Sequence, residues 1–113
     1  MVNSHSENLA LVERRLKPRC ICDYPARVSG YDANRKKIEE DGRAVNLSRS
    51  GIYILLNREI PTGMTLVIRI AFPTGSLELG TSKLALRGTV VRGNPLSEIT
   101  YGIGIKIDEF RFV

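Results

Sequence analysis

From residue 20 onward, apolar side chains fall on alternate positions, as in Met64, Leu66, Ile68 and Ile70 and again in Ile103, Ile105 and Ile107. Alternation of period two marks strands with one face turned to a core, because successive side chains point to opposite faces. Six segments carry this signature or a run of β-branched and aromatic residues: 20–28, 43–47, 51–57, 64–72, 83–93 and 101–107. No helix-length segment separates them, so the pattern predicts an all-β domain, a six-stranded antiparallel barrel whose closure removes exposed edges.

The connectors carry turn chemistry. Pro-Thr-Gly occurs at 61–63 and again at 73–75, and Gly93, Asn94 and Pro95 follow one another between the last two predicted strands. DANRKKIEEDG, residues 32–42, is dense in charge and reads as a solvated loop or a helical turn. Gly102 and Gly104 interrupt the last strand, where glycine eases a bend or lets another group approach the backbone. Ahead of the strands, Ser4 and Glu7 fit a capping box, and Leu9, Val12 and Leu16 follow at helical spacing, so a short helix near 6–16 is expected. Pro18 stops it, since proline drives Lys17 out of the α region.

The chain of 113 residues makes one domain, with 42% hydrophobic and 26% charged residues as in ordinary soluble proteins. No apolar run approaches a membrane span, and the N-terminus lacks the layout of a secretory signal, so a cytoplasmic protein is expected. Cys20 and Cys22 are too close along a strand for an unstrained disulfide and too few for a zinc site, so both read as reduced thiols and no metal is expected. Enzymatic chemistry has few carriers: the single histidine, His5, lies in the tail, and Glu39, Glu40 and Asp41 fall in the charged 32–42 segment. Neither a Walker loop nor a dinucleotide fingerprint occurs. A binding protein without a cofactor is expected.

Charge decides what it binds. The net charge is +5, and residues 14–49, with ten bases against five acids, hold all of that surplus. Within them RRLKPR, residues 14–19, packs three arginines and a lysine ahead of the first strand, a local field suited to phosphates. NLSRSG, residues 46–51, sets an amide, a hydroxyl and a glycine between two predicted strands; as local chemistry this is a hairpin turn. Together the R-x-x-x-R of Arg15 and Arg19 and the [D/N]-x-S-x-x-G of Asn46, Ser48 and Gly51, followed by a barrel pattern, resemble the PilZ domain family over residues 13–110.

PilZ domains are receptors for the bacterial second messenger cyclic di-GMP. The resemblance implies that ligand, a tail over 1–12, a PilZ-like domain over 13–113, and a flexible arm that orders on binding. It implies a ligand set of Arg14, Arg15, Arg19, Asn46, Ser48 and Gly51, with Arg14 associated with capture of an intercalated pair of ligands. Signalling through a downstream partner protein, in motility or biofilm control, is implied with it. The residues agree, because a guanidinium grips a phosphate or the O6/N7 edge of guanine with two parallel bonds and also stacks on a base. Arg49, Arg87 and Arg92 are further cations, either simply solvated or able to reach phosphates. Two rival readings are a small nucleic-acid-binding barrel and a PilZ-like adaptor that binds no ligand. Seven aromatics and no Trp make a poor base-stacking surface, which counts against the first.

Overall fold

The computed structural model of the chain describes residues 20–73 and 81–112. They form β1 (Cys20–Tyr31), β2 (Lys37–Leu47), β3 (Gly51–Leu56), β4 (Thr65–Pro73), β5 (Thr81–Pro95) and β6 (Tyr101–Phe112). All pairings are antiparallel and the order β1-β2-β3-β6-β5-β4 closes on itself, giving the expected six-stranded barrel. No helix among the described residues is long and apolar enough to cross a membrane. The helix expected over 6–16 lies outside the described residues.

Alternation fills the barrel. Ile52, Ile54 and Leu56 of β3, Leu66, Ile68 and Ile70 of β4, and Ile103 and Ile105 of β6 point inward and are almost completely buried. Leu84, Leu86 and Val90 of β5 meet Val28 of β1 and Ala44 of β2 in the same cluster, which buries no polar or charged residue. Ile60, from the β3–β4 connection, is buried in the same cluster. Behind it the Pro-Thr-Gly turn works as expected: Gly63 takes φ 88°, and the Met64 N–H donates to the Pro61 carbonyl.

One expectation is corrected. Residues 32–42 form neither a solvated loop nor a helical turn, because β2 begins at Lys37 and takes in Glu39, Glu40 and Asp41. Ile38 is the inward anchor of this stretch, and the charges beside it are met across strands. Arg27 of β1 donates to Asp41 at 2.8 Å and lies 3.5 Å from Glu39, while Arg58 reaches Glu40 at 3.3 Å. The turn proper is confined to residues 32–36, where the Asp32 carboxylate accepts from the N–H groups of Asn34 and Lys36. The last connection is likewise shorter than the sequence pattern indicates, since β5 runs through Pro95 and the hairpin loop occupies 96–100.

Candidate functional site

Register brings four residues into one cross-strand row on the outer face. Asn46 of β2 pairs with Tyr53 of β3, Tyr53 with Gly104 of β6, and Gly104 with Arg92 of β5. Two irregularities build the row. Between Ala44 and Asn46 the β2–β3 register slips, so that Ala44 and Leu47 both face the core while Asn46 turns outward. Between Val90 and Arg92 the β5–β6 register slips as well, keeping Val90 inside and aiming Arg92 across Gly104. Bulges of this kind re-aim side chains at sheet surfaces.

The middle of the row is bare backbone by necessity. A methyl group at Gly104 would lie 2.8 Å from Arg92 Cγ and 2.9 Å from its Nε. One at Gly102 would run into the Tyr53 hydroxyl. The glycines thus let the phenol ring and the arginine lie down over β6 from opposite sides, and they meet with the guanidinium carbon 5.7 Å from the ring centroid, within cation–π range. Lys106, exposed and two residues beyond Gly104, adds a cation on the same face opposite Gly51.

A cleft of about 510 Å³ opens over this row, lined by Asn46, Gly51, Tyr53, Arg92, Asn94 and Gly104 among others. That is the ordinary size of a small-ligand site. The Asn46 side-chain oxygen is buried there and has no hydrogen-bond partner among the described residues. An acceptor in that condition costs about 1–3 kcal/mol until a donor arrives. Ser48 and Gly51 close the β2–β3 turn against each other: the Ser48 N–H donates to the Gly51 carbonyl at 2.9 Å, and the Gly51 N–H donates to Ser48 Oγ at 3.1 Å.

Of the residues singled out in the sequence, Asn46 and Gly51 line this cleft, and Ser48 is bonded to Gly51 in the turn beside it. Arg14, Arg15 and Arg19 lie outside the described residues. Arg49 is exposed on the same turn. Arg87 stands on β5 opposite Glu109 and forms an ion pair with it at 3.2 Å. Arg92 belongs to the row, and Tyr53, which shows no paired aromatic in the sequence, finds a cation as its partner. The signal for that pair is the two glycines of YGIGIKI, which in antiparallel pairing fall beneath the aromatic of GIYILL. The Cys22 thiol donates to the Ala44 carbonyl at 3.3 Å. Among the described residues no group of His, Cys, Asp or Glu is placed to hold a metal ion.

Comparison with known proteins fits this architecture. Residues 13–111 match the PilZ domain. Among solved structures, that of the Bacillus subtilis inhibitor of motility, MotI/DgrA, superposes with a TM-score of 0.61 at 17% identity over 80% of this chain. The match covers 41% of that protein, so the chain spans about two fifths of its length. At this identity the likeness speaks for the fold. No curated protein sequence matches the chain significantly. With the family match running through nearly all of its length, the chain belongs to the PilZ domain family.

Proposed function

We propose that this barrel is a receptor for cyclic di-GMP, without catalytic activity, that passes the signal to a partner protein. The observation that carries the reading is the Asn46–Tyr53–Gly104–Arg92 row, with its unsatisfied buried oxygen, next to the start of β1. Cys20 pairs with Leu47 and Ile21 with Asn46, and Arg19 is the residue before Cys20, so the arm's attachment point lies beside the cleft.

The chemistry of each residue suits a guanine-bearing cyclic dinucleotide. Asn46 presents an acceptor for the N1 or N2 hydrogen of guanine, and satisfying it removes the cost of its burial. Arg92, held over Tyr53, offers a flat cation on which a base stacks, and Lys106 adds Coulombic attraction for phosphate. Gly51 allows close approach of the backbone, and the Ser48 hydroxyl can turn from its turn contact to a phosphate oxygen. Arg15 and Arg19 then supply the two-pronged grip on phosphate or guanine from the arm side. Arg14 adds the further cation that an intercalated pair of ligands, with four phosphates, requires.

Binding would fix the cationic arm against the barrel and so change the surface offered to the partner. Thermal melting tests this. A ligand that binds only the folded state at about a hundred times its Kd adds ~2.7 kcal/mol of stability. Cyclic di-GMP is expected to raise the melting temperature and cyclic di-AMP is not. An unchanged melting curve with cyclic di-GMP well above micromolar concentration would overturn the reading.

A further inference from the structure

A second cationic surface lies on β4 and toward the other end of β5 and β6, and the candidate site leaves it unused. Arg69 of β4 pairs with Ala85 of β5, and Ala85 with Arg111 of β6. Lys83, two positions before Ala85 on the same face, pairs with Ala71. All three basic side chains are exposed. Among the described residues none of the three has an ion pair or a side-chain hydrogen bond. They surround two alanines whose small side chains leave a shallow floor.

The register makes this arrangement costly in isolation. Arg69 sits directly opposite Arg27, and like charges opposite each other on a sheet destabilise it. Arg27 is relieved by Asp41 and Glu39 on its other side, but Arg69 is not. With strands about 4.8 Å apart, Arg69 and Arg111 stand ~10 Å from each other with Lys83 between them and displaced along the strand. Carboxylates at alternate positions of an extended chain lie ~6.7 Å apart on one side, within reach of three long side chains whose attachment points stand ~8 to 10 Å apart.

We propose that Arg69, Lys83 and Arg111 form a docking surface for an acidic segment of a partner protein. The surroundings favour this occupant over other polyanions. On either side the free cations are bounded by ion pairs that expose acids, Asp41 beside Arg27 and Glu109 beside Arg87. A continuous phosphate backbone or an anionic lipid plane would overlie those acids and be repelled. A short segment carrying discrete carboxylates need touch only the narrow strip between them. The strip is separate from the cleft, since Ala85 and Arg92 lie seven residues apart on β5, about 23 Å along a strand.

The test uses the full chain and a labelled twelve-residue peptide of alternating glutamate and threonine, followed by fluorescence anisotropy at about 50 mM salt, where charges act over more than ~10 Å. The Arg69→Glu/Arg111→Glu variant is compared with Arg35→Glu/Lys36→Glu, which changes the net charge equally at the exposed β1–β2 turn. The expected result is binding by the wild type and the turn variant, weakened by roughly tenfold or more in the face variant. If the face variant shows no cooperative melting transition, Lys83→Gln/Arg111→Gln replaces it with the same expectation. Absence of peptide binding, or equal loss in both variants, would overturn the proposal. So would tighter binding of phosphatidylglycerol vesicles or a single-stranded oligonucleotide that the face variant alone abolishes. Cyclic di-GMP thermal shifts on the same variants separate a failure here from a failure of the ligand reading.

Discussion

Replacing Gly104 with alanine probes the candidate site with a single methyl group. The new carbon would sit 2.8, 2.9 and 3.3 Å from Cγ, Nε and Cδ of Arg92. All three atoms belong to a flexible, exposed side chain, so the arginine swings aside while the sheet stays in register. Folding then loses the stacking on Tyr53, ~0.5–1 kcal/mol for an exposed cation–π pair, which lowers the melting temperature by less than roughly 8 °C. Ligand binding loses a preset guanidinium. At ~1–3 kcal/mol for one guanidinium–base contact, affinity for cyclic di-GMP falls roughly 5- to 140-fold, by the conversion of ~1.4 kcal/mol per decade. Calorimetry on Gly104→Ala, Arg92→Ala and the double variant separates this route from direct blockage of the cleft. If the methyl group acts by displacing Arg92, it costs nothing further once Arg92 is alanine. Wild-type affinity in Gly104→Ala, or losses that add in the double variant, would refute the reasoning.

Other outcomes follow from the same geometry. Arg15→Ala and Arg19→Ala should each weaken cyclic di-GMP binding by ~1–3 kcal/mol, and calorimetry giving unchanged affinity in both would remove their assigned roles. Ile54→Ala empties a fully buried position at the centre of β3 and should cost about 2–5 kcal/mol in denaturant unfolding; a loss well under that range would mean that the barrel core collapses around the gap. Asp23 accepts from Arg43 Nε at 2.7 Å, and this hydrogen bond holds its carboxyl below the ordinary value of 3.8. A lowered folded-state pKa contributes stability at neutral pH that disappears as the pH falls through it. An NMR titration of the Asp23 carboxyl should therefore give a midpoint below 3.8 that returns to the ordinary range in Arg43→Ala, and an unmoved midpoint contradicts the pairing.

How far the sequence reveals this molecule depends on which residues carry the signal. The barrel is legible because β3 and β4 alternate strictly, Ile52, Ile54 and Leu56 in one and Leu66, Ile68 and Ile70 in the other, and burial follows that pattern. The first half of β2 is hidden, because Lys37, Glu39 and Asp41 owe their places to cross-strand partners such as Arg27 that no local window contains. Asn46, Ser48 and Gly51 are legible as a compact motif. Tyr53 and Arg92 are not, since they lie 39 residues apart in the chain and meet across β6 only through the bulge that aims Arg92 over Gly104. That the inner residue of each pairing is a glycine is visible beforehand; which groups lie down on it is a property of register.

The proposed function stands or falls on a guanine-bearing cyclic dinucleotide being held in the cleft over Asn46, Tyr53, Gly104 and Arg92. Isothermal titration calorimetry with cyclic di-GMP, using cyclic di-AMP as the control, tests it most directly. Saturable binding of cyclic di-GMP with two ligands per chain is expected, lost or strongly weakened in Arg92→Ala, with no heat of binding from cyclic di-AMP. Absence of a cyclic di-GMP isotherm, or equal affinity for the two dinucleotides, would contradict it.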